Sequence, residues 1–406
     1  MTDLKPGWQR VKFGDLANCV NDRVDDPSTA GVERYVGLEH LDPESLTIRR
    51  WGSPEDVEST KLRFKPGDII FGKRRAYQRK LAVADFEGIC SAHAMVLRAK
   101  PEVVLPEFLP FLMRSDLFME RAVEISVGSL SPTINWKTLA HQEFALPSPE
   151  QQRRLVKVFS AAADMVGFTR LLEEAGQIAV ESALSSLVAG GTDRIPGRKA
   201  FIADANLPRD WRLLPIKDIC SARVTSGTTP RTGKSSTNTG HPFLRVQNLR
   251  FDGELQFDDA PEWIEQAEFI ETSSRHALPG DILINTVGPP LGKVSVIPSN
   301  FPEALFNQAI VRYRIHDPLL RTFATAYLFS SWSKDWLFAN STKTSGQRNI
   351  NVNTASNLPI AIPPPSAMAD IASKITSLLS TFQGCRDRLA QAELLTSCLL
   401  SAGLNP

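Results

Sequence analysis

The sequence predicts an α+β chain of two tandem globular domains, each followed by a long helix. Two observations support this fold class: a helical apolar pattern that appears in mid-chain and again near the C-terminus, and a set of short segments that recurs in the same order in both halves. With 406 residues, the chain can form several domains with cores of their own. The predicted parts are a first domain at 1–147, a helix at 148–190, a linker at 191–208, a second domain at 209–363 and a helix at 364–406.

The first long helix is predicted from Ser148 to Val188. Ser148 can cap its N-terminus, Pro149 suits the first helical position, and Gln151 completes a capping box. Alternating steps of three and four residues then trace an apolar seam, which is typical of a coiled coil. The seam residues are Leu155, Val158, Ala162, Met165, Thr169, Leu172, Gly176, Ala179 and Ala183. About 40 residues would make a helix on the order of 60 Å long. Periodicity alone also allows an ordinary long core helix.

A second helix with the same pattern is predicted from Ser366 onward. Its seam residues are Ile371, Ile375, Leu378, Phe382, Cys385, Leu389, Ala392, Thr396 and Leu399. Each half of the chain therefore has one such seam.

The first domain recurs in the second as an ordered set of segments. The matched pairs are Trp8–Val11 with Trp211–Leu214, Tyr35–Leu41 with Phe243–Leu249, Lys65–Ile70 with Leu278–Leu283, His93–Val96 with Gln308–Val311, and Phe144–Pro147 with Ile360–Pro363. After the third pair the register continues without a gap, from Lys80 and Val83 to Lys293 and Val296. A period of about half the chain is too long for a solenoid and indicates a duplicated domain with its helix.

These features resemble the specificity subunit of bacterial type I restriction-modification systems. The resemblance rests on the tryptophan-led opening segment, the Pro-Gly-Asp turn, and the Ala-Leu-Pro or Ala-Ile-Pro segment before each helix, each present twice in the same order. It covers nearly the whole chain. It implies two target recognition domains that each read one half of a bipartite double-stranded DNA target. It also implies that the two helices pair as an antiparallel coiled coil and hold the domains apart.

The same resemblance implies the partners and cofactors. Two DNA methyltransferase subunits would bind the helices, and restriction or translocase subunits could join them in antiviral defence. This chain would be non-catalytic and hold no cofactor. The methyltransferase partner would use S-adenosylmethionine, and a restriction partner would use ATP and magnesium.

The residues themselves also argue against catalysis by this chain. An amino-methyltransferase needs an Asp/Asn-Pro-Pro-Tyr/Phe segment, and the nearest string, Gly288–Leu291, lacks both the acid and the aromatic residue. The six histidines show no metal-ligand spacing, so no metal site and no catalytic residue are predicted.

In the first domain, a basic cluster follows a predicted strand and is the main DNA-binding candidate. Five of the eight residues at 73–80 are basic. Arginine and glutamine can bind base edges as well as phosphates. The candidates are Lys73, Arg74, Arg75, Tyr77, Gln78, Arg79 and Lys80, together with Ser129 and Ser131 from a later turn. The alternative is a solvated charged surface.

In the second domain, the candidates lie in three stretches. A glycine- and hydroxyl-rich loop at 223–236 could bind phosphate, or could be a flexible surface turn. A turn at 342–351 has donors for base edges, with Arg348 the strongest single candidate, and the alternative is a polar turn before a strand. The candidates are Arg223, Thr225, Ser226, Thr228, Arg231, Lys234, Lys293, Lys343, Gln347, Arg348 and Asn349.

Composition leaves two other kinds of protein open. With 46 basic and 45 acidic residues, net charge does not identify a partner. A two-domain scaffold that binds protein rather than DNA and a self-contained DNA-modifying enzyme are the alternatives, and the basic cluster disfavours the first.

The five cysteines form no CxxC pair and are interpreted as buried packing residues of a cytoplasmic protein. No apolar run approaches the roughly 18 residues of a membrane span.

Overall fold

A computed structural model describes residues 4–43, 45–189, 207–230, 240–251, 253–258, 261–288, 290–344 and 346–405. Contacts divide the chain into two compact units. Unit 1 comprises residues 1–172 and 386–406, and unit 2 comprises residues 173–385. Most of the predicted linker lies outside the described residues.

Unit 1 consists of short strands, short helices and parts of the two long helices. Its strands are β1 (Gln9–Lys12), β2 (Ala17–Val20), β3 (Arg23–Val24), β4 (Tyr35–Val36), β5 (Lys61–Phe64), β6 (Ile69–Gly72), β7 (Leu81–Val83), β8 (Gly88–Ser91), β9 (Ala94–Ala99) and β10 (Glu143–Leu146). Its helices are α1 (Phe13–Leu16), α2 (Leu109–Arg114), α3 (Asp116–Glu124), α4 (Trp136–Ala140) and the first part of α5 (Pro149–Val188).

The strands of unit 1 form two four-stranded sheets and one two-stranded sheet. The orders are β2-β9-β6-β7, β3-β5-β8-β4 and β1-β10. Successive side chains of a strand point to opposite faces. Accordingly, Ile69 and Phe71 of β6 belong to one core cluster and Ile70 belongs to another. Because β6 has core on both faces, all four of its residues are buried.

Unit 2 has an equivalent set of elements. Its strands are β11 (Arg212–Pro215), β12 (Thr225–Ser226), β13 (His241–Leu244), β14 (Trp263–Ile264), β15 (His276–Ala277), β16 (Ile282–Asn285), β17 (Val287–Gly288), β18 (Val294–Val296), β19 (Ala304–Phe306), β20 (Ile310–Tyr313), β21 (Thr342–Thr344), β22 (Gln347–Asn349) and β23 (Pro359–Ile362). Its helices are α6 (Gln266–Glu271), α7 (Pro318–Phe329), α8 (Ser331–Ala339), α9 (Val352–Ser356) and the first part of α10 (Pro365–Leu404).

Two sheets of unit 2 have the same strand order as sheets of unit 1, and this confirms the predicted duplication. The order β12-β20-β16-β18 corresponds to β2-β9-β6-β7, and β11-β23 corresponds to β1-β10. Each unit also has one parallel pair at the equivalent place, β4 with β8 and β13 with β19.

One of the matched sequence pairs is wrong by one residue. Ile69 lies opposite Leu97, and its equivalent Ile282 lies opposite Tyr313. Leu97 therefore corresponds to Tyr313, whereas matching His93–Val96 with Gln308–Val311 would pair it with Arg312. In both strands, β9 (Ala94–Ala99) and β20 (Ile310–Tyr313), apolar residues occupy neighbouring positions because core lies on two faces, so the period-2 alternation that fixes register is missing.

The beginning of α5 is as predicted. The Ser148 backbone N–H donates to Gln151 Oε1 at 3.0 Å, and the Gln151 backbone N–H donates to Ser148 Oγ at 3.4 Å. These reciprocal bonds form a capping box and satisfy two amides that the helix leaves without intrahelical partners.

Within unit 1, the parts of α5 and α10 run antiparallel. Gly403 lies so close to Phe159 that a Cβ atom there would be 2.7 Å from the ring. Further along α5, Thr396 Oγ1 lies 3.4 Å from the Ala162 carbonyl oxygen. Residue numbers therefore rise along α5 as they fall along α10.

Within unit 2, the other parts of the two helices also run antiparallel. A Cβ atom on Gly176 would lie 3.5 Å from Phe382, and Leu184 shares a core cluster with Ile375. A left-handed supercoil of the helices stays a prediction.

The seam predicted for α5 is wrong at every second position. Val158, Met165, Leu172 and Ala179 are exposed, whereas Phe159 and Val166 are buried. The observed seam alternates steps of four and three residues through Leu155, Phe159, Ala162, Val166, Thr169, Glu173, Gly176 and Val180, and a further step of four reaches Leu184. The sequence could not decide this because apolar side chains occupy neighbouring positions. On α10, every predicted seam residue is buried or half-buried, so that prediction is confirmed.

The cysteine interpretation holds only in part. All five thiols are free, and Cys90 is buried, but Cys398 on α10 is exposed. In the described part of the chain, no helix is both long and apolar enough to cross a membrane.

Candidate nucleic-acid interface

The basic cluster at 73–80 forms a sharply turned loop after β6. A 3-10 turn at Ala76–Gln78 lies between Arg75 and Arg79, which both have left-handed backbones (φ +57° and +53°). Ala76 is buried and anchors the turn, while Arg75 and Tyr77 are exposed. A left-handed non-glycine residue costs about 1 to 2 kcal/mol, so the surrounding structure fixes this loop shape.

A hairpin at 127–133, which contains Ser129 and Ser131, lies beside this loop. Val127 and Thr133 exchange backbone hydrogen bonds of 3.1 and 3.0 Å. The Arg75 backbone N–H donates to the Pro132 carbonyl at 2.7 Å, which joins the hairpin to the loop. Two stretches that the sequence suggested separately are thus neighbours.

Ser131 orients two arginines of the loop. Its hydroxyl accepts from Arg74 Nη2 at 3.2 Å and from Arg75 Nη2 at 3.3 Å. Arg74 Nη1 lies 3.3 Å from His93 Nε2, which must act as the acceptor because a guanidinium has only donors. Burial, and then the neighbouring cations Arg74, Lys73 and Lys61, lower the pKa of His93 and so favour the neutral ring. Sequence reasoning missed His93 as a member of this surface.

Two cations of the cluster contact the protein's own framework instead. Arg79 Nη2 donates to the Arg114 carbonyl at 2.8 Å and Nη1 pairs with Asp116 at 2.8 Å. Lys80 Nζ donates to the Leu38 carbonyl at 2.6 Å. Of the other candidates, Lys73 and Gln78 are half-buried and Ser129 is exposed.

Unit 2 has the same arrangement of loop and hairpin. β17, directly after β16, pairs with β22, and β22 pairs with β21. The Ile350 backbone N–H donates to the Thr286 carbonyl at 2.9 Å, as Ile134 does to Lys73 at 2.9 Å in unit 1. Both hairpins turn through a glycine with positive φ, Gly128 at +117° and Gly346 at +87°, as the sequence comparison of the two turns suggested.

Arg348 is held on one face of the unit 2 hairpin. Its guanidinium carbon lies 3.6 Å from the centroid of the Phe338 ring, and Nη1 donates to Ser341 Oγ at 2.9 Å. The exposed candidates Lys343, Gln347 and Asn349 lie on the same hairpin. Arg348, Phe338 and Lys343 help to line a cleft of about 450 Å³.

Lys293, like Lys80, is part of the framework. Its ammonium donates to the Val246 carbonyl at 3.1 Å, and burial, followed by the charge of Arg250, lowers its pKa. The loop before it depends on Asn285, which is fully buried and accepts backbone hydrogen bonds from Gly292 and Lys293 at 3.0 and 2.9 Å. Asn285 did not stand out in the sequence because a lone asparagine in an apolar strand has no distinctive pattern.

The start of the glycine- and hydroxyl-rich stretch is a strand rather than a free loop. Thr225 and Ser226 form β12, and Gly227 packs so tightly that a Cβ atom would lie 1.7 Å from the Phe306 carbonyl oxygen. Arg223 is exposed, whereas Thr225, Ser226 and Thr228 are half-buried. Arg231 and Lys234 lie outside the described residues. None of these contacts tests DNA binding, so the whole candidate set stays a prediction.

Comparison with solved structures supports the fold. The chain superposes with a TM-score of 0.55 and 22% identity on a chain from a study of complex assembly and conformational transition of the type I R-M system. The match covers 100% of this chain and 99% of that one. At this identity, the likeness shows the fold alone.

Curated relatives are named as specificity subunits. The type I restriction enzyme EcoDI specificity subunit of Escherichia coli is 28% identical over 39% of this chain. A provisionally named type I restriction enzyme MjaX specificity subunit of Methanocaldococcus jannaschii is 23% identical over 60% of this chain. These matches span 35% and 58% of the relatives' own lengths.

The family model for the type I restriction modification DNA specificity domain matches twice, at residues 7–170 and 208–394. The chain therefore belongs to this family. Among the described residues, no cluster of histidine, cysteine and carboxylate side chains could hold a metal ion.

Proposed function

We propose that the chain is the DNA sequence-specificity subunit of a type I or type I-like restriction-modification complex. Each unit would read one half of a bipartite double-stranded target, and the chain would recruit methyltransferase subunits, with restriction subunits as further partners. One observation carries this proposal. In both units the loop after the central strand (β6 or β16) pairs with the hairpin before the closing strand, on the same framework but with different side chains.

This pattern fits a protein that reads two different half-sites. The framework contacts are the same in both units, as Lys80 and Lys293 show. The exposed positions differ, with Arg75 and Tyr77 in one unit and Lys343 and Gln347 in the other. Arginine and glutamine form bidentate hydrogen bonds with guanine and adenine edges, and any of the cations can neutralise phosphates.

Exposed apolar side chains on α5 support a protein partner. In unit 1, Phe168 and Leu171 are 64% and 59% exposed. Adjacent exposed apolar residues mark surfaces that another protein covers. We assign this surface to a methyltransferase subunit. The scaffold and self-contained enzyme alternatives receive no support from the comparisons.

Methylome sequencing of the host with and without the gene tests the proposal. We expect one bipartite methylated motif to disappear on deletion and to return when the gene is restored. An Arg74→Ala, Arg75→Ala double variant should fail to restore it. A matched Arg154→Ala variant, which removes an exposed arginine paired with Glu150 on α5, should restore it fully. An unchanged methylome after deletion would contradict the proposal.

A further inference from the structure

Leu130 lies at the tip of the unit 1 hairpin and is 90% exposed. It is the most exposed large apolar side chain in the described part of the chain. Burying a leucine that is now in water would gain about 1.5 to 3 kcal/mol, so contact with an apolar group of a ligand at this position would be favourable.

The exposure does not come from a loose loop. Val127 and Thr133 close the hairpin through two backbone hydrogen bonds, and Thr133 Oγ1 donates to the Ser131 carbonyl at 3.1 Å. Gly128 has a φ of +117°, which leucine or serine would adopt only under strain. The hairpin therefore holds Leu130 outward in a defined position.

Leu130 is also fixed relative to two cations. Its neighbour Ser131 accepts hydrogen bonds from Arg74 and Arg75 at 3.2 and 3.3 Å. Consecutive Cα atoms are about 3.8 Å apart, so the leucine stands one residue from the point where both guanidinium groups converge. If the arginines bind phosphates or guanine edges, Leu130 lies beside the same few base pairs.

We infer that Leu130 is a specificity-determining side chain that contacts the 5-methyl group of a thymine in the half-site read by unit 1. This inference rests on the proposed function. The thymine methyl is the apolar group that base pairs present in the major groove, and aliphatic side chains recognise it by contact. The contact would be confined to one half-site, because the unit 2 hairpin from Thr342 to Asn349 has no large apolar residue in its sequence.

In vitro selection of DNA targets by the assembled methyltransferase complex tests the inference. With wild-type protein, we expect both half-sites to be selected. With Leu130→Ala, one thymine preference in one half-site should disappear, affinity for the original target should fall about tenfold, and the other half-site should stay unchanged. Leu130→Met, which keeps an apolar side chain of similar size, should retain most of the preference. Ile270→Ala, which truncates an exposed apolar residue of unit 2, is the matched control.

Replacing each thymine of the target by deoxyuridine isolates the methyl group. One replacement should weaken binding of the wild type severalfold and leave Leu130→Ala unaffected. If no such position exists, or if Leu130→Ala selects the wild-type sequence, the inference is overturned. Both results require that a bipartite target is bound, so they differ from failure of the proposed function, in which no specific target is selected.

Discussion

Arg314 donates two parallel hydrogen bonds to the buried carboxylate of Asp281. Nε donates to Oδ1 at 2.8 Å and Nη2 donates to Oδ2 at 2.7 Å. The same carboxylate accepts the Leu278 backbone N–H at 2.8 Å, which closes the Pro-Gly turn. These contacts raise the pKa of Arg314, first through the hydrogen bond to Asp281.

Unit 1 repeats this arrangement with Asp68 and Arg98. Arg98 donates to the two carboxylate oxygens at 2.7 and 2.8 Å, and the Lys65 backbone N–H donates to Asp68 at 2.9 Å. The Pro-Gly-Asp segment that identified the duplication therefore fixes the turn before the central strand. The Asp–Arg pair that both units share is structural, and the adjacent loops carry the proposed recognition.

Removing Asp281 should destabilise unit 2 more than removing Asp68 destabilises unit 1. Asp281→Ala leaves a largely buried guanidinium without its carboxylate, so we expect a loss of about 3 kcal/mol in unfolding free energy. Arg98 is 48% exposed, and water can replace its partner, so Asp68→Ala should cost about 1 to 2 kcal/mol. Hydrogen exchange of β16 and β6 in denaturant measures each unit separately. Equal losses would show that the exposure of the arginine does not matter.

Arg75 and Lys80 should behave differently although they lie in one basic loop. Arg75→Ala should weaken DNA binding and reduce the slope of log K against log salt by about one, because one phosphate contact is lost. Lys80→Met keeps the apolar stem but loses the bond to Leu38, so it should cost about 1 kcal/mol of stability. Its salt slope should equal that of the wild type, and binding titrations at several salt concentrations check both results.

Arg348→Lys should relax one half-site. Lysine keeps the charge but cannot reproduce the planar stacking on Phe338 or a bidentate contact with guanine. We expect discrimination at one base pair to fall by about 1 to 3 kcal/mol, with the other half-site unchanged. Competition binding against single-base variants of the target measures this. Loss of affinity for all sequences alike would instead identify Arg348 as a phosphate contact.

The thiols should differ in reactivity. Burial raises the pKa of Cys90 to about 12, whereas Cys398 is exposed. At pH 8 iodoacetamide should modify Cys398 in the native chain and spare Cys90 until unfolding, as mass spectrometry can show. Cys398→Ser should remove the fast modification.

The raised pKa of Cys90 also has a consequence for stability. The folded state keeps this thiol protonated, while the unfolded chain ionises it above its ordinary pKa of 9.0. The contribution of the buried thiol to the free energy of unfolding is therefore complete below pH 9 and is lost as the pH rises towards about 12. Denaturation of the wild type and Cys90→Ala at pH 8 and pH 10 should show the larger decrease in the wild type.

The sequence predicts those features that depend on local chemistry. Ser148 and Gln151 form the expected capping box because such a cap needs only residues three apart. The repeated Pro-Gly-Asp turn is also local. These short patterns located both long helices and the duplication.

Other features depend on contacts between distant residues and were missed. From the sequence, Val158 and Phe159 fit a helical seam equally well. In the structure Phe159 takes the seam position because Gly403, which has no side chain, leaves room for its ring. Likewise, the sequence does not distinguish Lys80 from its basic neighbours. Its structural role follows only from the position of the Leu38 carbonyl, to which its ammonium donates. His93 belongs to the candidate surface because the fold places it beside Arg74, and nothing in the sequence shows this.

Unit 1 is built from two segments that are far apart in the chain, 1–172 and 386–406, so the ribosome makes them at different times. Phe159 shares its core cluster with Leu400 and Leu404, which the ribosome adds roughly 240 residues later. Unit 2 is one continuous stretch, 173–385, so all of its residues are made before those leucines. Unit 1 thus begins earlier in the chain than unit 2 but is completed later. Until then the side of Phe159 that faces α10 stays uncovered, and a nascent chain paused in the last turns of α10 would be a target for chaperones.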